Sequence, residues 1–363
     1  MKINNTNIPF SNHISHFAHI LLFLCFQFTT FSPMAEKKPT VLITGANGFV
    51  GARLCRTFLE KEFDVIAGVR QTADLSQLEG LNLRYRYGDV TIPETLKEMV
   101  ADIDYIIHNA GVVKAKKKQT FFEVNKTGTR NLFQAIANYN PKVKKVIYIS
   151  SLAAAGTSDG INPIKESDPP HPITTYGKSK LAGEKTALSF AQQFNVVSLR
   201  PAGVYGPGDK EIFSFFQTVN RRIKPYIGNI NRKLQLVHVD DLCRAVYLAL
   251  VNKTKSGAIY FIAEKKAYSM KEMIKLLEKG CQKKGIPLLI PAPIFKLIAI
   301  FSETLFKLVN ATPMLTLEKA NELLASWEIS TVKAKQEIQY ESQIPFEIGA
   351  KETYQWYKKK GWL

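Results

Sequence analysis

From residue 40 onward, short apolar runs alternate with segments of helical periodicity. Strands are predicted at 40–44, 64–69, 83–87, 105–108, 143–150 and 196–199, with amphipathic helices between them at 50–61, 93–100, 120–138 and 176–193. The strand runs are apolar almost without a break, the pattern of strands covered on both faces. Their strict alternation with helices predicts an α/β fold built on a doubly wound parallel sheet. After Arg200 the rhythm changes. Segments 211–223, 240–252, 269–280, 294–309, 316–325 and 345–360 read as helices, with short strands near 234–238 and 257–262. This half is expected to form a smaller, helix-rich lobe.

One segment of that lobe, 293–310, is apolar around most of its circumference. Its charges, Lys296, Glu303 and Lys307, fall within about 40° of one another on a helical wheel. It is expected to be a core helix over the substrate cleft, a helix on a membrane surface being the alternative.

Residues 1–33 break the pattern. They carry one charged side chain, Lys2, and an apolar stretch over 17–31, shorter than the roughly 20 residues that span a bilayer. They make a poor signal peptide, because the charged start lies far from the apolar core and Pro33 is badly placed for a cut after Ala35. The leader is therefore read as lying outside the fold, with translation starting at Met34. A membrane anchor is the alternative.

The formal charge of +18 is spread over short lysine runs at 37–38, 116–118, 144–145, 265–266, 283–284 and 358–360. Such runs are expected to be solvated loops and helix ends; attraction to anionic lipid or to phosphorylated ligands is the sharper reading. No aromatic residues interleave with the lysines, which excludes a recognisable nucleic-acid module. The four cysteines, Cys25, Cys55, Cys243 and Cys281, have no spacing that suits a metal, so free thiols in a reducing, cytoplasmic compartment are expected.

Chemistry enters at the first strand. Val41-Leu42-Ile43-Thr44-Gly45-Ala46-Asn47-Gly48-Phe49-Val50-Gly51 runs an apolar strand through a Gly-x-x-Gly-x-x-Gly turn into a helix. Gly45 permits the turn, Gly48 lets backbone approach a pyrophosphate, and Gly51 packs helix on strand; free N–H groups and the helix dipole then hold the anion. Val69-Arg70 closes the second strand, where an acidic residue would meet a ribose diol; a cation there favours a 2′-phosphate, hence NADP(H) over NAD(H). Gly88-Asp89-Val90 ends the third strand, where Asp89 can accept from an adenine amino group or cap the next helix. His108-Asn109-Ala110-Gly111 ends the fourth, small enough for a cofactor to lie close. Downstream, Tyr176 and Lys180 are one helical turn apart. An ammonium beside a phenol stabilises phenolate, so this spacing implies a Tyr176 pKa lowered from about 10 and a proton donor and acceptor for alcohol/ketone interconversion.

With Ser151 upstream of that pair, the chain over about 40–330 resembles an extended short-chain dehydrogenase/reductase of the NAD(P)-dependent epimerase/dehydratase family. The matching motifs follow in order: Thr-Gly-x-x-Gly-x-x-Gly at 44–51, Gly-Asp-Val at 88–90, His-Asn-Ala-Gly at 108–111, Val-Asn-Lys-Thr-Gly-Thr at 124–129 and Ser150-Ser151. Tyr176 to Lys180, Arg-Pro-Ala-Gly-Val-Tyr-Gly-Pro-Gly at 200–208 and Val-His-Val-Asp-Asp-Leu at 237–242 complete the series. The resemblance implies a Rossmann domain over 38–205 and mainly a substrate-binding lobe over 206–363. It implies that Tyr176 is the acid/base, that Lys180 lowers its pKa and holds the nicotinamide ribose, and that Ser151 hydrogen-bonds the reacting oxygen. Asn125 would support the lysine and its water, Pro201 and Val204 would line the nicotinamide, and His238 would belong to a structural corner. The run 114–118 lies near the cleft mouth, where a solvated loop is expected and contact with an anionic substrate is the alternative. A homodimer through the 120–138 and 176–193 helices is also implied.

Two departures bear on substrate. Sugar-nucleotide enzymes of the family usually carry asparagine three residues after the arginine, where this chain has Gly203; they often place tyrosine where it has Ala155. The form of this stretch is closer to the 3β-hydroxysteroid dehydrogenase and dihydroflavonol reductase branch. The expectation is thus an NADP(H)-preferring oxidoreductase acting on a small apolar or amphipathic alcohol or ketone, reached in solution or at a membrane surface. A nucleotide-sugar epimerase or dehydratase with retained NAD is the second reading, and a cofactor-binding structural or assembly subunit the third.

Overall fold

The first apolar run, Thr40–Thr44, is buried along its whole length as strand β1, and its neighbours follow suit. They are β2 (Asp64–Val69), β3 (Arg84–Tyr87), β4 (Tyr105–His108), β5 (Lys145–Ile149) and β6 (Val196–Pro201). The later strands are β7 (Gly203–Tyr205), β8 (Ile223–Ile227), β9 (Lys233–Leu234), β10 (Leu236–His238), β11 (Ala258–Ile262), β12 (Tyr268–Ser269) and β13 (Ile286–Ile290). In this computed structural model, which describes residues 1–2, 37–308 and 315–363, one seven-stranded parallel sheet runs β3-β2-β1-β4-β5-β6-β11. The strand order reverses between β1 and β4, the place where open α/β sheets bind ligands. The leader read as lying outside the fold falls largely outside the described residues, and the fold described is that of Pro39–Leu363.

Helices cover both faces, which is why the strands need no polar side. The helices are α1 (Phe49–Glu60), α2 (Lys97–Val100), α3 (Lys118–Phe122), α4 (Thr129–Tyr139), α5 (Leu152–Ala155), α6 (Thr175–Leu188) and α7 (Phe213–Asn220), then α8 (Val239–Val251), α9 (Met270–Cys281), α10 (Ala292–Leu308), α11 (Leu317–Leu324), α12 (Val332–Ile338) and α13 (Phe346–Lys359). Leu54 and Phe58 of α1 share one core with Leu242 and Val246 of α8. Leu132 and Ile136 of α4 share the opposite one with Met99 of α2 and Ala187 of α6. The expected helix at 120–138 is broken by a π-helical turn, Glu123–Gly128, between α3 and α4. The one expected at 93–100 is a 3₁₀ turn, Pro93–Thr95, followed by α2.

The boundary expected at 205/206 does not divide the chain cleanly. The strand read in the lobe near 257–262 forms the seventh strand of the main sheet as β11. Helix α8 and Ala334, Ile338 and Tyr340 from the α12 region join the core on the α1 side. What remains is a lobe with its own core, in which Phe216 of α7, Ile274 and Leu277 of α9 and Tyr357 of α13 meet. A parallel pair, β8 with β13, lies beside it.

The segment expected to be a core helix is not one. Of α10, Phe295 and Ala299 are buried with Ile227 and Ala320, while Leu297 and Phe301 are 65% and 70% exposed. Among the described residues no helix is long and apolar enough to cross a membrane.

Candidate active site

The glycine turn is shaped by close contacts. Gly45 has φ +65°, and a Cβ on it would stand 2.9 Å from Ala110 Cα; one on Gly51 would stand 2.1 Å from the Gly45 carbonyl. Gly48 differs, since its Cβ would meet only the Gly45 carbonyl at an ordinary 3.4 Å. Its bare backbone keeps space open on the ligand side. Helix α1 starts at Gly48 with no side-chain cap and no acidic residue in its first turn, leaving N–H groups and the positive dipole end for an anion. This cradle fits the pyrophosphate of a dinucleotide.

All the residues expected to form the site, except Gly51 and Asn125, line a single cavity of about 2300 Å³. Both exceptions are buried behind its wall. A pocket for one drug-sized ligand measures roughly 300–1,000 Å³, so this space takes a cofactor and a substrate together. Arg70 is exposed at the end of β2 on the cavity rim. Asp89 does not cap the next helical turn, whose N-cap is Ile92; its Oδ1 accepts from the Thr91 N–H at 2.8 Å and from the Thr91 hydroxyl at 2.7 Å. Asn109 Nδ2 donates to the Gly45 carbonyl at 3.3 Å, and Thr44 Oγ1 accepts from the N–H groups of Asn109 and Ala110 at 3.1 Å each. Thr44 thus ties the start of the glycine turn to the loop after β4, a part the strand pattern does not reveal. His108 sits behind it, 2.9 Å from Thr44 Oγ1 and 3.1 Å from Thr129 Oγ1. Burial, with the Lys180 charge adding to it, pushes its pKa down to about 3, so the ring is neutral.

Helix α6 presents Tyr176 and Lys180. Thr174 caps it, accepting from the Gly177 N–H at 3.0 Å. Glu318 of α11 holds its first residue, Oε2 accepting from the Thr175 N–H and Oε1 from the Thr175 hydroxyl, both at 2.8 Å. This lobe-to-helix latch was out of reach of sequence reasoning because its ends are 143 residues apart. On the inner side, a Cβ on Gly183 would stand 2.1 Å from the Asn125 carbonyl. Helix α6 and the π-helical turn therefore meet backbone to backbone.

The electrostatics at Tyr176 differ from the expectation. The Tyr-x-x-x-Lys spacing implies a lowered phenol pKa, but burial pushes Tyr176 up to about 12, with the Ser151 hydroxyl acting in the opposite direction. Lys180 does not offset the burial. Its Nζ donates to the Ile149 carbonyl at 2.6 Å and lies over the Tyr148 ring, and burial pushes its own pKa down to about 8. Ser151 caps α5, its Oγ accepting from the Ala153 N–H at 3.1 Å. Asn125 is not bonded to Lys180. Its Nδ2 donates to the Val112 carbonyl at 3.1 Å and to Ser179 Oγ at 2.9 Å, and its Oδ1 accepts from the Val112 N–H at 2.9 Å. It joins the loop after β4 to the residue preceding the lysine.

His238 belongs to a structural corner and not to the cavity wall. It is fully buried, caps α8 by accepting from the Asp240 N–H, and packs edge-on against Tyr205. Asp240 in turn pairs with Arg53 of α1. Of the lysines near the cleft mouth, Lys114 pairs with Glu211 at 2.7 Å and Lys118 with Glu318 at 3.0 Å.

Comparison with known proteins agrees with this arrangement. A family model described as NAD dependent epimerase/dehydratase family matches residues 41–263. A ceramide reductase of Caulobacter vibrioides is 26% identical over 337 residues, covering 90% of this chain and 97% of its own. A 3-beta-hydroxysteroid dehydrogenase of Mycolicibacterium neoaurum is 30% identical over 266 residues, covering 67% and 70%. The UDP-glucose 4-epimerase of Thermotoga maritima, solved with UDP-glucose, shares the fold with a TM-score of 0.72 at 21% identity, covering 88% of this chain and 99% of its own. The chain is an NAD(P)-dependent enzyme that handles a small-molecule substrate through hydride transfer between nicotinamide and a carbonyl or secondary-alcohol carbon. By its family model, its relatives and the cavity at the reversal of its parallel sheet, it belongs to the NAD dependent epimerase/dehydratase family, among the extended short-chain dehydrogenases/reductases.

Proposed function

We propose that the chain is an NADP(H)-preferring oxidoreductase acting on an amphipathic ketone or secondary alcohol, and that Tyr176, Ser151 and Lys180 carry the proton chemistry. The observation that carries the substrate reading is at Gly203. A Cβ there would stand 2.9 Å from Leu236 Cδ2, so a leucine methyl group occupies the space where sugar-nucleotide enzymes offer an amide. Leu234, Met270, Met273, Phe346 and Trp327 continue the apolar wall. One buried cation, Arg232, also lines the cavity; it donates to the Ile227 and Asn229 carbonyls, and its Nε has no partner. A buried polar group left unpaired is expensive, so the apolar body of the substrate is proposed to carry a polar group that reaches Arg232. The steroid and ceramide named for two relatives are molecules of that apolar kind.

When bound, the dinucleotide supplies or takes up hydride. The chain's own residues manage the oxygen. A phenol pushed up to about 12 is protonated at neutral pH, the form that donates to a carbonyl oxygen. Ser151 orients that oxygen, and the Lys180 ammonium stabilises negative charge as the proton leaves. Arg70, with no side-chain partner among the described residues, is proposed to meet the 2′-phosphate. A homodimer through α3, α4 and α6 is proposed as well, supported by the half-buried Leu181.

The test is consumption of free NADPH with apolar ketones, set against UDP-sugars, in the wild type, Tyr176→Phe and Arg70→Asp. Tyr176→Phe is expected to lose roughly 10²- to 10⁴-fold in kcat while binding cofactor normally. Arg70→Asp is expected to turn the preference toward NADH. Interconversion of UDP-sugars without net NADPH consumption would establish the epimerase reading instead. Full function of Tyr176→Phe beside loss of function in cofactor-site variants would establish the structural-subunit reading.

A further inference from the structure

Helix α10 and strand β13 expose apolar side chains that no other described residue covers. Ile294, Leu297, Ile298, Phe301 and Leu305 are all exposed. Their spacing of three and four residues places them in one stripe along α10. Phe295 and Ala299, on an adjacent face, fill the small core with Ile227 and Ala320. Just before the helix, Ile286 and Leu289 of β13 are 77% and 68% exposed. This edge strand pairs with β8 alone. Exposed apolar side chains gathered in this way mark an interaction site on a folded domain.

The charges around it decide the partner. Lys283 and Lys284 lead directly into β13, and Ile286 N–H donates to the carbonyl of Arg222, which is exposed beside Arg221. Lys296 lies on the opposite side of α10, near Glu303, and takes no part in this rim. A bare hydrophobic stripe rimmed by cations, on a chain of formal charge +18, is complementary to an anionic lipid surface. The 17 residues of α10 are about 25 Å long at 1.5 Å per residue, too few to cross a bilayer and suited to lying in its interface.

We propose that this face docks the protein on an anionic membrane, α10 lying along the surface with its bare stripe among the lipid chains and the basic rim at the headgroups. The other side of the same helix reaches the cavity: Glu303, roughly 180° round the helix from the centre of the stripe, lines it. Helix α10 is then the wall between lipid and substrate space. Docking requires no particular substrate, and its test does not depend on turnover.

The full chain and a chain beginning at Met34 are floated with vesicles of phosphatidylcholine alone and of phosphatidylcholine with phosphatidylserine. Both chains are expected to bind the phosphatidylserine vesicles and to bind the neutral ones more weakly. Leu297→Glu with Phe301→Glu is expected to lower partitioning tenfold or more at unchanged melting temperature. Lys283→Glu with Lys284→Glu is expected to remove the preference for phosphatidylserine. Unaltered flotation of the Leu297/Phe301 variant would overturn the proposal. So would binding that vanishes in the Met34 chain, which would assign it to the leader. Conversion of a dimer to a monomer by the Leu297/Phe301 variant, with flotation unchanged, would assign the face to a second copy.

Discussion

Lys180 Nζ donates to the main-chain carbonyl of Ile149 at 2.6 Å and lies 4.7 Å from the centre of the Tyr148 ring. The ammonium one turn from Tyr176 is therefore held by the sheet and not by the phenol. Two groups that sequence spacing makes partners are each tuned mainly by burial, in opposite directions: Tyr176 up to about 12 and Lys180 down to about 8.

A lysine depressed in the folded state has a definite signature. Between about 8 and its ordinary 10.5, the unfolded chain binds more protons than the folded one. Stability therefore rises with pH through that window, and below about 8 the buried charge destabilises by its full amount, about 3 kcal/mol. Lys180→Met removes the term. In urea melts from pH 7 to pH 10 the wild type should gain stability relative to the variant, which should be the more stable of the two at pH 7. Parallel curves would show that Lys180 is not desolvated as the geometry implies.

The same sign is expected at His108, in a more acid window. Its folded pKa, about 3, lies below its ordinary 6.5, so the stability it contributes is present above 6.5 and is lost as pH falls toward 3. His108→Asn should flatten the acid side of a stability profile measured between pH 7 and pH 4. An unchanged acid limb would place the sensitivity elsewhere.

Helix α6 is anchored to the sheet by a buried ion pair. Arg200 donates through Nε and an NH₂ group to Glu184, at 2.9 and 2.5 Å, and Ser198 Oγ donates to the same carboxylate at 2.9 Å. Both side chains are almost fully buried. Arg200→Met leaves the carboxylate stranded and should destabilise by about 3–5 kcal/mol. Adding Glu184→Leu should recover a large part of that loss, because a buried pair is replaced by apolar groups of similar size. Strict additivity in the double-mutant cycle would mean that the two do not act as a pair.

Much of this was legible in the sequence because its causes are local. Strands buried on both faces must be apolar throughout, so β1, β2 and β4 declare themselves. Gly45, Gly48 and Gly51 are read from spacing because a turn, an open cradle and a helix contact each need a missing side chain at a fixed position. Longer-range causes leave no such trace. The pairing of Ile223 with Ile286, the grip of Glu318 on Thr175 and the entry of residues 258–262 into the main sheet depend on partners far along the chain. The periodicity of 293–310 shows that α10 is apolar nearly all round, but not which side finds a partner. The direction of the Tyr176 shift escapes the sequence for a related reason. Spacing places a charge nearby, whereas burial, which sequence does not measure, decides the balance.

The cavity wall at β7 and β10 bears on substrate choice. Leu236 Cδ2 lies 2.9 Å from where a Gly203 Cβ would stand, and that atom is the end of a flexible side chain on β10, paired in register with Gly203 of β7. Gly203→Asn alone should crowd Leu236 and weaken binding of an apolar substrate without affecting cofactor affinity. Pairing it with Leu236→Ala makes room for the amide. The double variant should then bind UDP-glucose more tightly than the wild type, while its kcat/KM for apolar ketones falls. Isothermal titration with UDP-glucose, beside NADPH-linked ketone assays, separates the two effects. If the double variant kept its full ketone activity, the contact between Leu236 and Gly203 would have no part in choosing the substrate, and the apolar reading of this cavity would lose its main support.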